Sequence, residues 1–141
     1  MKEICTIEDI AVMTGLSTRT IRTYIANGQL DGEKVDGAWQ FTLEQFSAFL
    51  KEDMVRQSIQ AKANGIVYDF LLMDRRREQS ACLVWDWPVE DGEAEGVLRE
   101  KLMERVNAHG LRCSYRYENG TARAILSGAP EALAEVLTAM K

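Results

Sequence analysis

Arg19 and Arg22 are the side chains with the clearest chemistry to offer. They stand three residues apart in TGLSTRTIRTYIANGQL, residues 14–30, and are the only arginines among the first thirty residues. On a helix that spacing puts them on one face, among the hydroxyls of Thr18, Thr20, Thr23 and Tyr24, while Ile21 and Ile25 mark a separate apolar stripe. The chemistry is non-covalent. Positive charge and hydroxyl groups along one helix face suit a phosphate backbone, and a side chain in the first turn can reach base edges. Reaction chemistry has no comparable support. His109 is the single histidine, and there is no nucleophile–base spacing, glycine-rich phosphate loop or metal-ligand cluster, so no enzyme, cofactor or metal site is expected. Cys5, Cys82 and Cys113 are odd in number and scattered, which argues against a disulfide framework and against zinc. His109 precedes Cys113 by four residues, but a chain reversal expected at Gly110 separates them.

With 141 residues, 46% of them hydrophobic, the chain can bury one substantial core or two small ones. Its net charge of −5 does not announce nucleic acid. Residues 1–64 hold seven Lys/Arg against nine Asp/Glu, and the remainder ten against thirteen, so any basic surface must be local. No apolar run approaches the roughly 18 to 20 residues of a membrane span, and the opening MKEICTIEDI lacks a signal-peptide core; a cytoplasmic protein without membrane contact is expected.

The arginines need a scaffold, and the flanking residues supply one. Thr6 is placed to cap a first helix by accepting from the Asp9 amide, with Ile7, Ile10 and Val12 or Met13 as its apolar face and Gly15 as its end. Ser17 then caps a second helix from Thr18 to about Asn27, closed by Gly28, with Leu16 wedged between the two. This is a helix-turn-helix. DGEKVDGAWQFT follows as a small hairpin, and Thr42 with Gln45 forms a capping box opening a helix with Phe46, Phe49 and Leu50 on one face. The helical pattern runs on to Gly65, with an apolar side that thins after Leu50; such polar helices bridge domains or pair with another copy.

Beyond Gly65, IVYDFLLMD and SACLVWDWPV are rich in β-branched and aromatic residues around the polar RRREQ, which predicts a hairpin whose charged tip, Asp74 to Glu78, is simply solvated. A helix from about Gly92 to Gly110 follows, with Val97 or Leu98, Leu102 and Val106 inward. LRCSYRYE and TARAILSG then flank Asn119-Gly120, a strong hairpin signal, and Pro130 starts a last helix with Leu133, Val136, Leu137 and Met140 in a stripe. The predicted order is ββαββα. A two-residue loop at Asn119-Gly120 sets the register: Arg116 faces Arg123, while Tyr117, Tyr115 and Cys113 pair with Ala122, Ala124 and Leu126 on the core face. The facing arginines require an acid or an anion between them. Trp85 and Trp87 share one strand face, with core favoured over an open platform.

STRTIRTYIANGQL resembles the recognition-helix string of the MerR and excisionase superfamily: Ser17 as cap, Arg19 to Arg22 as core, then Tyr24, Gly28 and Leu30. GAWQFTLEQFSAFL is similar to the excisionase-type wing at Gly37, Trp39, Phe49 and Leu50. The motifs cover about a third of the chain. They depart from it in the wing, which keeps Lys34 as its only cation, against Glu33 and Asp36. The resemblance implies a winged helix-turn-helix that binds double-stranded DNA through Ser17, Thr18, Arg19, Thr20, Arg22, Thr23, Tyr24, Lys34, Trp39 and Gln40. For Tyr24 and Trp39, packing between helix and wing is an equal alternative.

The expected architecture is α+β: a winged helix-turn-helix in residues 1–50, a linking helix in 51–64, and in 65–141 an antiparallel ββαββα sheet with helices on one face. The expected function is a MerR-like DNA-binding regulator, a homodimer whose C-terminal half dimerises or senses a small-molecule effector. An excisionase-like architectural factor and an adaptor that no longer binds DNA are the alternatives.

Overall fold

A computed structural model describes residues 4–73 and 78–141. The chain opens with β1 (Ile4–Cys5), α1 (Ile7–Thr14) and α2 (Thr18–Ala26), followed by β2 (Glu33–Val35), β3 (Ala38–Thr42) and α3 (Leu43–Leu50). Both capping boxes form: Thr6 and Asp9 exchange hydrogen bonds at α1, and Thr42 and Gln45 do the same at α3. Strand β3 lies between β1 and β2, and the β2–β3 hairpin turns through Asp36 and Gly37, both at positive φ. Gly32 packs its bare Cα onto the Phe41 ring, where an added Cβ would collide with ring carbons.

Two expectations about the middle of the chain are corrected. The helical pattern from Thr42 is not continuous: it breaks at Lys51 and Glu52, and α4 (Asp53–Leu72) begins afresh. The break has a packing reason. In one unbroken helix Val55 and Ile59 would lie more than a third of a turn from the face of Phe46 and Phe49, yet all four are buried in one core. Residues 66–72, predicted as a strand, are the last two turns of α4. A short apolar run does not distinguish strand from buried helix by pattern alone. Here Ile66 extends the buried stripe Val55, Ile59, Ala63 and packs with Ile125, which outweighs the β-branched composition and the helix-interior Gly65. Of the expected charged tip, Asp74 to Glu78, residues 74–77 lie outside the described residues.

The rest is β4 (Ala81–Pro88), α5 (Gly92–His109), β5 (Arg112–Glu118), β6 (Thr121–Gly128) and α6 (Pro130–Ala139). The order after α4 is therefore βαββα, not ββαββα. The antiparallel sheet runs β4-β6-β5, so β4 takes β6 as its neighbour in place of the predicted partner. Helices pack on both faces: α4 covers the side of Ile125 and Cys82, while Leu102, Val106, Leu133 and Val136 of α5 and α6 join Tyr115, Ala122, Ala124 and Leu126 on the other.

The β5–β6 register is as expected, with Arg116 opposite Arg123 and Tyr115 opposite Ala124. The required acid comes from the third strand. Asp86 on β4 faces Arg123 and accepts two hydrogen bonds from it at 2.7 and 3.0 Å. The hydrogen bond from Arg123 is the main cause that holds the Asp86 carboxyl below its usual range. Arg116 turns to Gln60 of α4 and to Glu118. Trp85 and Trp87 lie against the core, half-buried, with ring centroids 4.2 Å apart.

One buried cluster runs from Cys5 to Met140. The α1–α2 turn is seated on the sheet edge: Gly15 has φ 79°, and a Cβ there would sit 3.0 Å from the Cys113 carbonyl. Asn107 of α5 donates to Asp9 of α1 at 3.0 Å. Burial pushes the Cys113 thiol far up, which makes it a packing group and not a reactive one. His109 is partly covered and bonds Glu135 at 2.9 Å.

Candidate nucleic-acid interface

Helix α2 owes its position to its cap and its apolar stripe. Ser17 accepts from the Thr20 amide and donates to the Thr20 hydroxyl, so the first turn is fixed without a carboxylate. Ile21 and Tyr24 are buried, and Leu16 fills the angle between α1 and α2. That anchoring turns Ser17, Thr18, Arg19, Arg22 and Thr23 outward, all exposed, with Thr20 half-exposed. The Thr23 hydroxyl donates back to the Arg19 carbonyl at 3.2 Å, leaving its oxygen lone pairs outward. Among the described residues no carboxylate pairs with Arg19 or Arg22.

The two aromatic residues separate. Tyr24 packs its ring edge-on against Phe49, centroids 5.4 Å apart, and its hydroxyl bonds Ser58 of α4 at 2.9 Å. Its ring and hydroxyl tie α2 to α3 and α4, whereas the packing alternative read from the sequence set it between helix and wing. Its partner Ser58 had no signal in the chain, since the contact spans 34 positions. Tyr24→Phe keeps the ring and strands Ser58, so it is expected to lower stability by about 1 kcal/mol in a denaturant melt without changing the fold. Trp39 remains half-exposed on β3, stacked on Phe41 and beside Lys34, whose ammonium lies 6.0 Å from the indole centroid.

Lys34 faces Trp39 across the hairpin, and both line a concavity of about 200 Å³ with Arg22 of α2 and Thr6, Ile7 and Glu8 at the start of α1. Helix and hairpin thus converge on one groove with Arg22 and Lys34 in its wall. Gln40, opposite Glu33, is half-buried on the same strand as Trp39. The share of α1 in the groove was not anticipated, although the Thr6 capping box marks the place where its amides begin. Glu8 brings a negative charge into the same wall.

Residues 4–54 match a helix-turn-helix domain family. The match begins at β1 and ends just inside α4, so it contains the capped helices, the hairpin and α3. Comparison with curated proteins and with solved structures gives no match. The helix-turn-helix domain therefore accounts for about a third of the chain, and the βαββα half is described by its own geometry. No described helix is long and apolar enough to cross a membrane.

Proposed function

We propose that this chain is a DNA-binding regulator of the MerR-like or excisionase-like winged type, acting as a homodimer. The observation that carries the reading is the outward pair Arg19 and Arg22 on the second helix of a helix-turn-helix domain, free of carboxylate partners among the described residues, with Lys34 beside Arg22 in one groove. In this reading α2 enters the major groove, Thr18 and Arg19 in its first turn address base edges, and Arg22, Lys34, Trp39 and Gln40 hold the backbone alongside. The β2–β3 hairpin serves as the wing. Two phosphate-facing cations per copy, Arg22 and Lys34, make a weak electrostatic footprint, which favours two copies on one duplex.

The surface that suits a second copy is the outer side of α4. Met54, Ser58, Ala61, Gly65, Tyr68 and Leu72 recur at alternating steps of four and three, the spacing of a coiled-coil seam. Met54, Tyr68 and Leu72 are 64, 65 and 72% exposed. An antiparallel crossing at Ala63 sets Tyr68 opposite Ser58, Gly65 opposite Ala61 and Leu72 opposite Met54, large against small. A parallel one stacks Tyr68 on itself.

The test is a titration of labelled specific and scrambled duplexes at several salt concentrations. Arg22→Ala is expected to weaken both equally and to reduce the salt slope by about one per bound protomer, whereas Arg19→Ala costs about 1–3 kcal/mol mainly on the preferred site. If both variants bind as the wild type does, the arginine face is only solvated and an adaptor role replaces this one.

A further inference from the structure

A second cleft, of about 450 Å³, lies between the first turns of α4 and the end of β5, with Leu50 of α3 at its side. That is the size of sites that take small organic molecules, roughly 300–1,000 Å³. On α4 its lining residues Asp53, Arg56 and Gln60 centre more than a third of a turn from Met54, Ser58, Gly65 and Tyr68. The cleft is therefore on a different face of the helix from the seam.

The charges in its walls are only partly met by the protein. Arg56 and Arg116 share one carboxylate: Arg56 Nη2 lies 3.2 Å from Glu118 Oε1, and Arg116 Nη1 lies 3.7 Å from Oε2. Arg116 also donates through Nη1 to Gln60, which donates on to Asn64 at 3.0 Å, so its guanidinium is held in place. Among the described residues, Nε and Nη1 of Arg56 and Nε and Nη2 of Arg116 meet no protein acceptor, and Asp53 pairs with no cation. These groups are open to solvent: the side chains of Arg56 and Arg116 are 48 and 34% exposed, and Asp53 is exposed.

We propose that this cleft binds a free α-amino acid, its carboxylate accepting from Arg56 and Arg116, its ammonium beside Asp53 and an apolar side chain against Leu50. A carboxylate matches a guanidinium in charge and in planar donor geometry. Asp53 and Arg56 are three residues apart on α4 and so are surface neighbours, roughly 5–6 Å between Cβ atoms. One small molecule with ammonium and carboxylate on a single carbon can meet both. The formal charges of the walls, Arg56 and Arg116 against Asp53 and Glu118, cancel, which suits a zwitterion better than a phosphate or a dicarboxylate. Ser58, between Arg56 and Gln60 in the chain, bonds Tyr24, so the ligand would lie on the turn of α4 that holds α2.

Calorimetric titration of the full chain tests this, and since it contains no DNA its outcome is independent of the proposed DNA recognition. The probes are leucine and phenylalanine, each beside its acid without the ammonium (isocaproate, hydrocinnamate) and its amine without the carboxylate (isoamylamine, phenethylamine). Saturable binding of at least one amino acid is expected, at least tenfold tighter than that of its acid and its amine. Arg56→Gln changes an exposed side chain whose ion pair contributes little to stability, so the variant should melt as the wild type does and bind the amino acid at least tenfold more weakly. Asp53→Asn should bind it no more tightly than the matching acid. Binding of neither amino acid, equal binding of the acid or the amine, or undiminished binding by Arg56→Gln or Asp53→Asn each overturns the proposal.

Discussion

Glu95→Ala is expected to destabilise the protein by about 3–5 kcal/mol, the cost of leaving one member of a buried ion pair uncompensated. Glu95 and Arg99 are both buried on α5, and the Glu95 carboxylate also accepts from Tyr115 in the sheet. Its removal strands two groups at once, the Arg99 guanidinium and the Tyr115 hydroxyl. The phenol is already pushed up, first by burial and then by the carboxylate beside it, so it stays protonated and must find an acceptor. Because Arg99 reaches on to Leu43 and Ser47, the damage extends to α3 and the placement of the helix-turn-helix domain. Denaturant unfolding measures this as a fall in midpoint at unchanged slope. Glu95→Gln, which retains an acceptor for Tyr115, should lose less. A loss for Glu95→Ala within about 1 kcal/mol, the range of exposed pairs, would show that water reaches the site.

Tyr68→Glu is expected to convert the proposed dimer to a monomer and to lower affinity for a two-half-site duplex by about 10²–10⁴-fold, the gain that linking two binding modules confers. Tyr68 is 65% exposed on α4 and belongs to neither buried cluster of the described residues, so the fold should survive. In the antiparallel seam each introduced carboxylate is desolvated opposite Ser58 of the other copy. Sedimentation at tens of micromolar, an ordinary range for protein–protein affinity, reads the assembly directly. A wild-type monomer there, or a Tyr68→Glu dimer, contradicts the α4 seam.

Local signals in this chain were legible wherever one residue type has one structural use. Thr6 and Ser17 cap helices, Gly15 and Gly110 end them in left-handed conformation, and Asn119-Gly120 fixes a register that held pair by pair. Alternation also anticipated that Trp85 and Trp87 face the core. The failures lie where tertiary contact decides. Ile66 to Leu72 carry strand composition, yet the helix wins because Ala63 and Ile66 meet Ile125, some sixty residues away in the chain. The polar face of α5 misleads in the opposite sense: Glu95, Arg99 and Glu100 resemble solvated charges in sequence and are buried in the structure. Of the candidate site, the arginine face and Lys34 were legible from type and spacing. The inward turn of Tyr24 was not, since its partner Ser58 belongs to a helix whose start depends on a break that no glycine or proline marks.

The central claim is that the Arg19 and Arg22 face meets duplex DNA, with Arg22 and Lys34 on its phosphates. Its most direct measurement is the affinity of the wild-type chain for random duplex DNA across a salt series. Arg22 and Lys34 as phosphate contacts predict that log affinity falls linearly with log salt, with a slope of about −2 or steeper per protomer. Failure to bind at low salt, or an affinity indifferent to salt, would contradict it.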